Sequence, residues 1–171
     1  MKIKLKTWQI IGFIFTCVLG ILLHFLYDLT GGSILVMPFS AINESIFEHM
    51  KLLFFPMFIF ALIQSRYMEE SYQDFWCVKF FGISCGTILI PVLYYTLNGA
   101  FGTLPDRSNI AIFFVTAAVS YILEAWLFGK ENKICSSGEN AFLALCLIAV
   151  IMASLTFLPL DIPLFWDPLS R

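Results

Sequence analysis

Asn43-Glu44-Ser45-Ile46-Phe47-Glu48-His49-Met50-Lys51 crowds titratable side chains into the start of a segment in which every residue from Leu52 to Ile63 is apolar. On a helix advancing 100° per residue, with Glu44 at zero, Glu48 falls at about 40°, Ser45 at about 100°, His49 at about 140° and Lys51 at about −20°. Ile46, Phe47, Met50, Leu53 and Phe54 fill the other side. The segment therefore reads as a membrane-spanning helix whose first two turns carry one polar face. Ionisable residues at membrane depth are costly, and their default reading is functional.

The rest of the chain supports a membrane setting. Of 171 residues, 60% are hydrophobic and 17% aromatic, and only 13% are charged. A soluble domain of this size needs far more charge to cover its surface. The expected fold is all-α, a polytopic membrane helix bundle forming one integral-membrane domain over residues 1–171. Its spans are expected at about 8–27, 45–66, 75–97, 109–128 and 140–158, by the lengths of the apolar blocks. The start, Met1-Lys2-Ile3-Lys4-Leu5-Lys6, has the basic character of a signal peptide. The apolar run after it is too long for a signal core and lacks a small-x-small cleavage site, so it reads as a signal anchor. Pro56 and Pro91 lie inside spans, where each removes a backbone bond and is expected to kink the helix. Asn98 to Asp106 reads as a loop by its Gly and Pro content, and the proline-rich tail after Pro159 is not expected to be a helix. Phe165 and Trp166 in that tail suit a membrane interface.

Orientation follows from the basic residues. With the N-terminus in the cytoplasm, that side collects Lys2, Lys4, Lys6, Arg66, Lys79, Lys130 and Lys133, against Lys51, Arg107 and Arg171 on the other. The polar block then opens outside, and the C-terminus is outside as well. No basic run points to nucleic acid. The five cysteines, Cys17, Cys77, Cys85, Cys135 and Cys146, form no C-x-x-C pair and mostly sit in apolar blocks. They are expected to be free core cysteines, neither a disulfide framework nor a zinc ribbon.

On the outer side the first span ends in His24-Phe25-Leu26-Tyr27-Asp28, with His24 and Asp28 on one helix face. A short connection makes the first two spans neighbours, so His24, Asp28, Glu44, Glu48 and His49 are expected to converge. Tyr94, Tyr95 and Asn98 end the third span on that side, and Asp161 and Asp167 return from the tail. Two imidazoles with several carboxylates form a ligand set for a divalent ion, zinc first. In that arrangement His24, Asp28, Glu48 and His49 hold the ion. Glu44 is the general base, and Asn43 and Lys51 orient or neutralise an anionic group such as a phosphate.

A structural account competes. Ser45-Ile46-Phe47-Glu48 fits a capping box, Glu44 suits a helix N-terminus, and Lys51 is placed to pair with Glu48. It leaves Asp28 and both histidines unexplained. Thr116, Ser120 and Glu124 form a stripe whose small members are expected to bond across helices, with Glu124, within two turns of Lys130, snorkelling to the inner surface or serving a proton relay. Glu69-Glu70 is expected in a solvated loop.

The segment 43–51, the upstream His24-Phe25-Leu26-Tyr27-Asp28 and the tail Ile162-Pro163-Leu164-Phe165-Trp166-Asp167-Pro168 resemble a family of small bacterial membrane proteins of unassigned function. That family is marked by N-E-S-x-x-E-H-x-K. The resemblance covers nearly the whole chain and implies about five spans and a shared polar site, but no reaction. Asp28 stands where the resemblance leads one to expect a glutamate.

Three functions remain open on the sequence. The leading one is a membrane-embedded, metal-assisted hydrolase or transferase acting on a lipid or lipid-linked substrate at the outer leaflet of the bacterial plasma membrane. The second is a transport or binding subunit that uses the cluster for a small molecule or ion and works with an energising partner, an ATPase. The third is a structural partner for another membrane subunit.

Overall fold

Each apolar block becomes one helix in the computed structural model of the protein, which describes residues 4–69, 72, 74–102, 105, 107–130 and 135–168. Met1, Lys2, Ile3, Glu70, Thr103, Leu104, Asp106, Lys133 and Arg171, which enter the charge and loop arguments, lie outside the described residues. The helices are α1 (Leu5–Leu29), α2 (Ile46–Met68), α3 (Phe75–Phe101), α4 (Arg107–Phe128) and α5 (Gly138–Phe157). All five are long and apolar enough to cross a membrane. Pro56 and Pro91 lie inside α2 and α3 as expected. The helix expected to stop near Leu97 runs on to Phe101. Asn98 is accommodated by donating its side-chain amide to the Tyr94 carbonyl, and Gly102, at φ 79°, ends the helix instead of Gly99. The tail forms a 3₁₀ turn at Pro163–Phe165.

Helix α2 is the centre of the bundle. Of its most apolar stretch 67% is buried, against 28% for α1 and 22% for α5. Helices α1 to α4 close a ring in which α1 packs on α2 and α4, and α3 on α2 and α4. Helix α5 lies outside, against α3 with a smaller contact to α2. Leu143, Leu147, Val150 and Ile151 form an exposed apolar stripe on it. In water such a stripe would be an aggregation surface; among lipid tails it matches its surroundings.

In lipid, apolar side chains gain little by leaving the solvent, so helices associate through close packing and polar contacts. Both occur here. A methyl group on Gly12 would lie 2.5 Å from a Phe60 ring carbon, and one on Gly20 would lie 2.8 Å from the Leu52 carbonyl oxygen. Gly82 and Gly86, one turn apart on α3, are covered by Glu124 and Ser120, one turn apart on α4. The glycines thus make room for the polar stripe of α4. The small members of that stripe do not bond across helices as expected: the Ser120 and Thr116 hydroxyls donate to the carbonyls of Thr116 and Phe113.

The polar cross-links lie elsewhere. Thr16 and Tyr121 share a hydrogen bond of 2.8 Å between α1 and α4. Lys79 is buried and pairs with Glu124 at 2.5 Å, tying α3 to α4. Its ammonium lies 5.7–5.8 Å from the ring centres of Phe75, Tyr121 and Phe128, within cation–π range. Glu124 therefore has a partner 45 residues upstream instead of Lys130, which sits over the Trp126 ring at 3.5 Å. The cysteine reading needs one correction: Cys77 and Cys135 form a disulfide, while Cys17, Cys85 and Cys146 are free. Cys77 opens α3 and Cys135 lies in the α4–α5 connection, a pairing across 58 residues that spacing along the chain does not reveal.

Two stability predictions follow from this packing. Gly86→Leu should overpack the α3–α4 contact and cost about 1–3 kcal/mol, visible as a lowered thermal midpoint in detergent. Gly99→Ala, with nothing within 4 Å of the added methyl, should leave it unchanged or raise it. Glu124→Leu should cost about 3–5 kcal/mol by stranding the Lys79 charge, and Lys79→Met with Glu124→Leu should recover most of that loss.

Candidate functional site

The segment between α1 and α2 folds back over both helices. The Ser40 hydroxyl donates to the Leu23 carbonyl at 2.5 Å and accepts from the Tyr27 N–H at 2.9 Å. It stands where the i→i−4 bond between those residues would run, pinning the connection to the turn of α1 that carries His24. Beyond it, the Asn43 side-chain oxygen accepts from the Ser45 N–H at 2.9 Å, and the Ser45 hydroxyl accepts from the Glu48 N–H at 3.4 Å. Ser45 is thus the N-cap of α2, as its pattern suggested. The reciprocal half of the capping box is taken over by Asn43, because the Glu48 carboxylate turns elsewhere.

Glu48 is buried and pairs with Lys51 at 2.7 Å, also accepting from the Ile42 N–H at 3.0 Å. Lys51 is fully buried and donates to the Met37 carbonyl at 3.0 Å and the Thr156 hydroxyl at 2.8 Å. An ammonium has three protons, and all three are satisfied here. Glu48 and Lys51 therefore lie inside the protein, tied to each other, to the connection and to α5.

What remains at the surface of this end is a smaller cluster. Glu44 stands between the two histidines: one carboxylate oxygen is 3.7 Å from His24 Nε2, the other 3.5 Å from His49 Nε2. The imidazole rings are 5.7 Å apart, centre to centre. His49 Nδ1 lies 2.9 Å from the Ser45 carbonyl. A carbonyl only accepts, so Nδ1 carries the proton of that bond, and in the neutral ring Nε2 is a lone pair aimed at a carboxylate. Two acceptors facing each other call for a positive charge between or upon them. His24 Nδ1 is buried without a hydrogen-bond partner among the described residues.

The structure thus brings His24, Glu44 and His49 together and separates Glu48 and Lys51 from them. Asn43 is engaged with Ser45. Asp28 is exposed, and none of the cluster's polar contacts involves it. Asp161 accepts from the Trp166 indole at 2.9 Å, and Phe165 stacks on Phe47 at 4.3 Å, so the tail braces the start of α2. Among the described residues, no group of three or more His, Cys, Asp and Glu side chains closes on a metal-binding geometry; the His24–Glu44–His49 cluster stops short of one.

His24 and His49 also line a cavity of about 250 Å³ between α1, α2 and α4, whose other walls are apolar except for Asn109. Asn109 is the site residue that sequence reasoning passed over as a span boundary. Its signal was available: it is an amide in the first turn of α4, at the same end of the bundle as the polar block. Tyr94, from α3, meets His49 and Asn109 on the far side of a second, much smaller void.

No curated protein and no solved structure matches the chain. One family model does, over residues 1–171. The chain belongs to a family of unknown function, DUF6512.

Proposed function

We propose that this is a membrane-embedded hydrolase or transferase, assisted by a divalent metal ion, that acts on a lipid or lipid-linked substrate at the outer leaflet of a bacterial plasma membrane. The observation that carries the reading is the opposition of the His49 Nε2 lone pair and the Glu44 carboxylate, with His24 Nε2 on the other carboxylate oxygen. At 3.5 and 3.7 Å these pairs are too long for good hydrogen bonds. They bring two imidazoles and a carboxylate, each a common zinc ligand, to one place.

His24, Glu44 and His49 would hold the ion, which supplies a nucleophilic water near neutral pH and polarises a carbonyl or phosphoryl oxygen. The Ser45 carbonyl fixes the tautomer of His49, the outer-shell contact such ligands commonly have. Glu44 offsets part of the ion's charge and leaves a net positive site for an anionic group. Asn109 offers an amide on the cavity side of His49. The Glu48–Lys51 pair holds the start of α2 and stays out of the chemistry.

Lys4, Lys6, Arg66 and Lys130 gather at the opposite end of the bundle. The positive-inside rule makes that end cytoplasmic and the cluster extracytoplasmic, while the Cys77–Cys135 disulfide at the same end favours the reverse, because the cytoplasm keeps thiols reduced. Lys79, buried in its ion pair, adds nothing to that count.

A second reading is favoured by the Lys79–Glu124 pair, since ionisable groups buried toward the other end are a common mark of ion pathways. It makes the protein a transport or binding subunit, with ligand binding but no turnover and an energising ATPase partner.

Elemental mass spectrometry on detergent-purified protein tests the leading reading. About one equivalent of zinc, manganese or iron is expected, lost in His24→Ala and His49→Ala. Glu48→Gln should keep the metal and lower the thermal midpoint. Folded protein without metal, after supplementation with all three ions, would sink it. For orientation, Glu44→Cys should gain labelling by a membrane-impermeant maleimide on intact cells; labelling only in inverted vesicles would reverse the topology.

A further inference from the structure

The cavity beside the cluster names what the site takes. Its walls include Ile21 and Phe25 of α1 and Ile110 and Phe114 of α4, all of them exposed on the outer face of the bundle. For helices of membrane length that face meets lipid, so the cavity opens sideways between α1 and α4 into the hydrocarbon. Gly20 forms part of its floor, against Phe113 and the Leu52 carbonyl.

Three kinds of occupant can be weighed. Water needs two to four polar partners, and the walls away from His24, His49 and Asn109 have none to give. A helix of another protein is too wide: one turn, about 10 Å across and about 5.4 Å tall, takes up roughly 420 Å³, against a cavity of about 250 Å³. A hydrocarbon chain fits. At about 30 Å³ for each water-sized group, the space accepts on the order of eight methylenes, and lipid chains are the medium at its mouth.

We propose that this cavity receives one hydrocarbon chain of a membrane lipid, entering laterally between α1 and α4. The polar end of that chain lies against His24, His49 and Asn109. The proposal rests on the reading above for what happens at that end, and it narrows the substrate to a lipid with at least one chain free to leave the leaflet. A water-soluble substrate has no need of the lateral opening. The same histidines are shared by cavity and cluster, so the first few bonds of the chain, next to the headgroup, meet Glu44 and its partners.

The test uses full-length protein in phosphatidylcholine vesicles containing phosphatidylglycerol with a photoactivatable diazirine on one acyl chain. Labelled peptides are mapped by mass spectrometry. Label should concentrate on α1 and α4 around Ile21, Phe25, Ile110 and Phe114. It should fall at least fivefold when Ile21→Trp and Ile110→Trp are combined to fill the cavity. Leu147→Trp, on the lipid-facing stripe of α5, should leave it unchanged. All three positions face outward, and an unaltered thermal midpoint confirms that the variants fold. Label spread evenly over the lipid-facing helices, or undiminished in the filled variant, is a surrounding lipid only and overturns the proposal. Metal content, read on the same samples, separates the two ideas. Label retained in His24→Ala without metal leaves the cavity standing, whereas bound metal with unfocused label leaves only the metal reading.

Discussion

A buried ammonium holds the histidine end of this protein together. Lys51 has no exposed surface, and its three protons go to Glu48, the Met37 carbonyl and Thr156. A charge so placed is tolerated only when fully satisfied, and those acceptors come from the start of α2, the α1–α2 connection and α5. Glu48, held by Lys51, also takes the Ile42 N–H. The connection is thereby stapled at two points, and between them Ser40 is fed into the last turns of α1. With the connection so constrained, Glu44 comes out between two histidines from different helices. The cluster's geometry depends on this unexposed pair, so Glu48 and Lys51 act as positioning groups for it.

Much of this was legible in the sequence, and what was not has a common cause. Span number and class follow from the length of apolar blocks, which is a local property. The polar face of 43–51 was also legible, because period and capping chemistry are local: Ser45 caps α2 where the S-x-x-E pattern put it. Which carboxylate faces the histidines was not. Glu44 and Glu48 lie only about 40° apart on the helical wheel, and the choice was made by Thr156, on α5, together with Met37 and Ile42 of the folded-back connection. The same applies to Lys79, which chain position assigned to a membrane surface and packing assigned to Glu124, and to Cys77 with Cys135. For Lys79 and Cys77 the partner lies tens of residues off, on another helix or in a connection. Asn109 shows the opposite failure, since its position was read correctly as a helix start and only its exposure to the cavity was missed.

The two halves of the bundle use different means of assembly. Near the cluster, contacts are made by charges and hydroxyls at helix ends. Toward the N-terminal end, α3 and α4 meet through Gly82 and Gly86, which bring the backbones close enough for Glu124 to reach Lys79 beneath a roof of aromatic rings. Small residues at one position and an ion pair at the next are two expressions of one constraint: lipid rewards neither apolar burial nor unpaired polarity. Large apolar residues are therefore free to face outward along α1 and α5.

The Cys77–Cys135 bond encloses most of α3 and all of α4 in a covalent ring. For a chain unfolding in water, closing a ring of that size would be worth about 4 kcal/mol through the disorder it removes. A membrane chain has less disorder to remove, because its unassembled state is already a row of inserted helices. Here the two that matter are joined by only a few residues. The bond thus adds little to the assembly of the bundle and acts on the α4–α5 connection, which it fastens to the head of α3. A further effect is topological: a break in the polypeptide anywhere between the two cysteines leaves pieces that travel as one molecule until a reductant parts them.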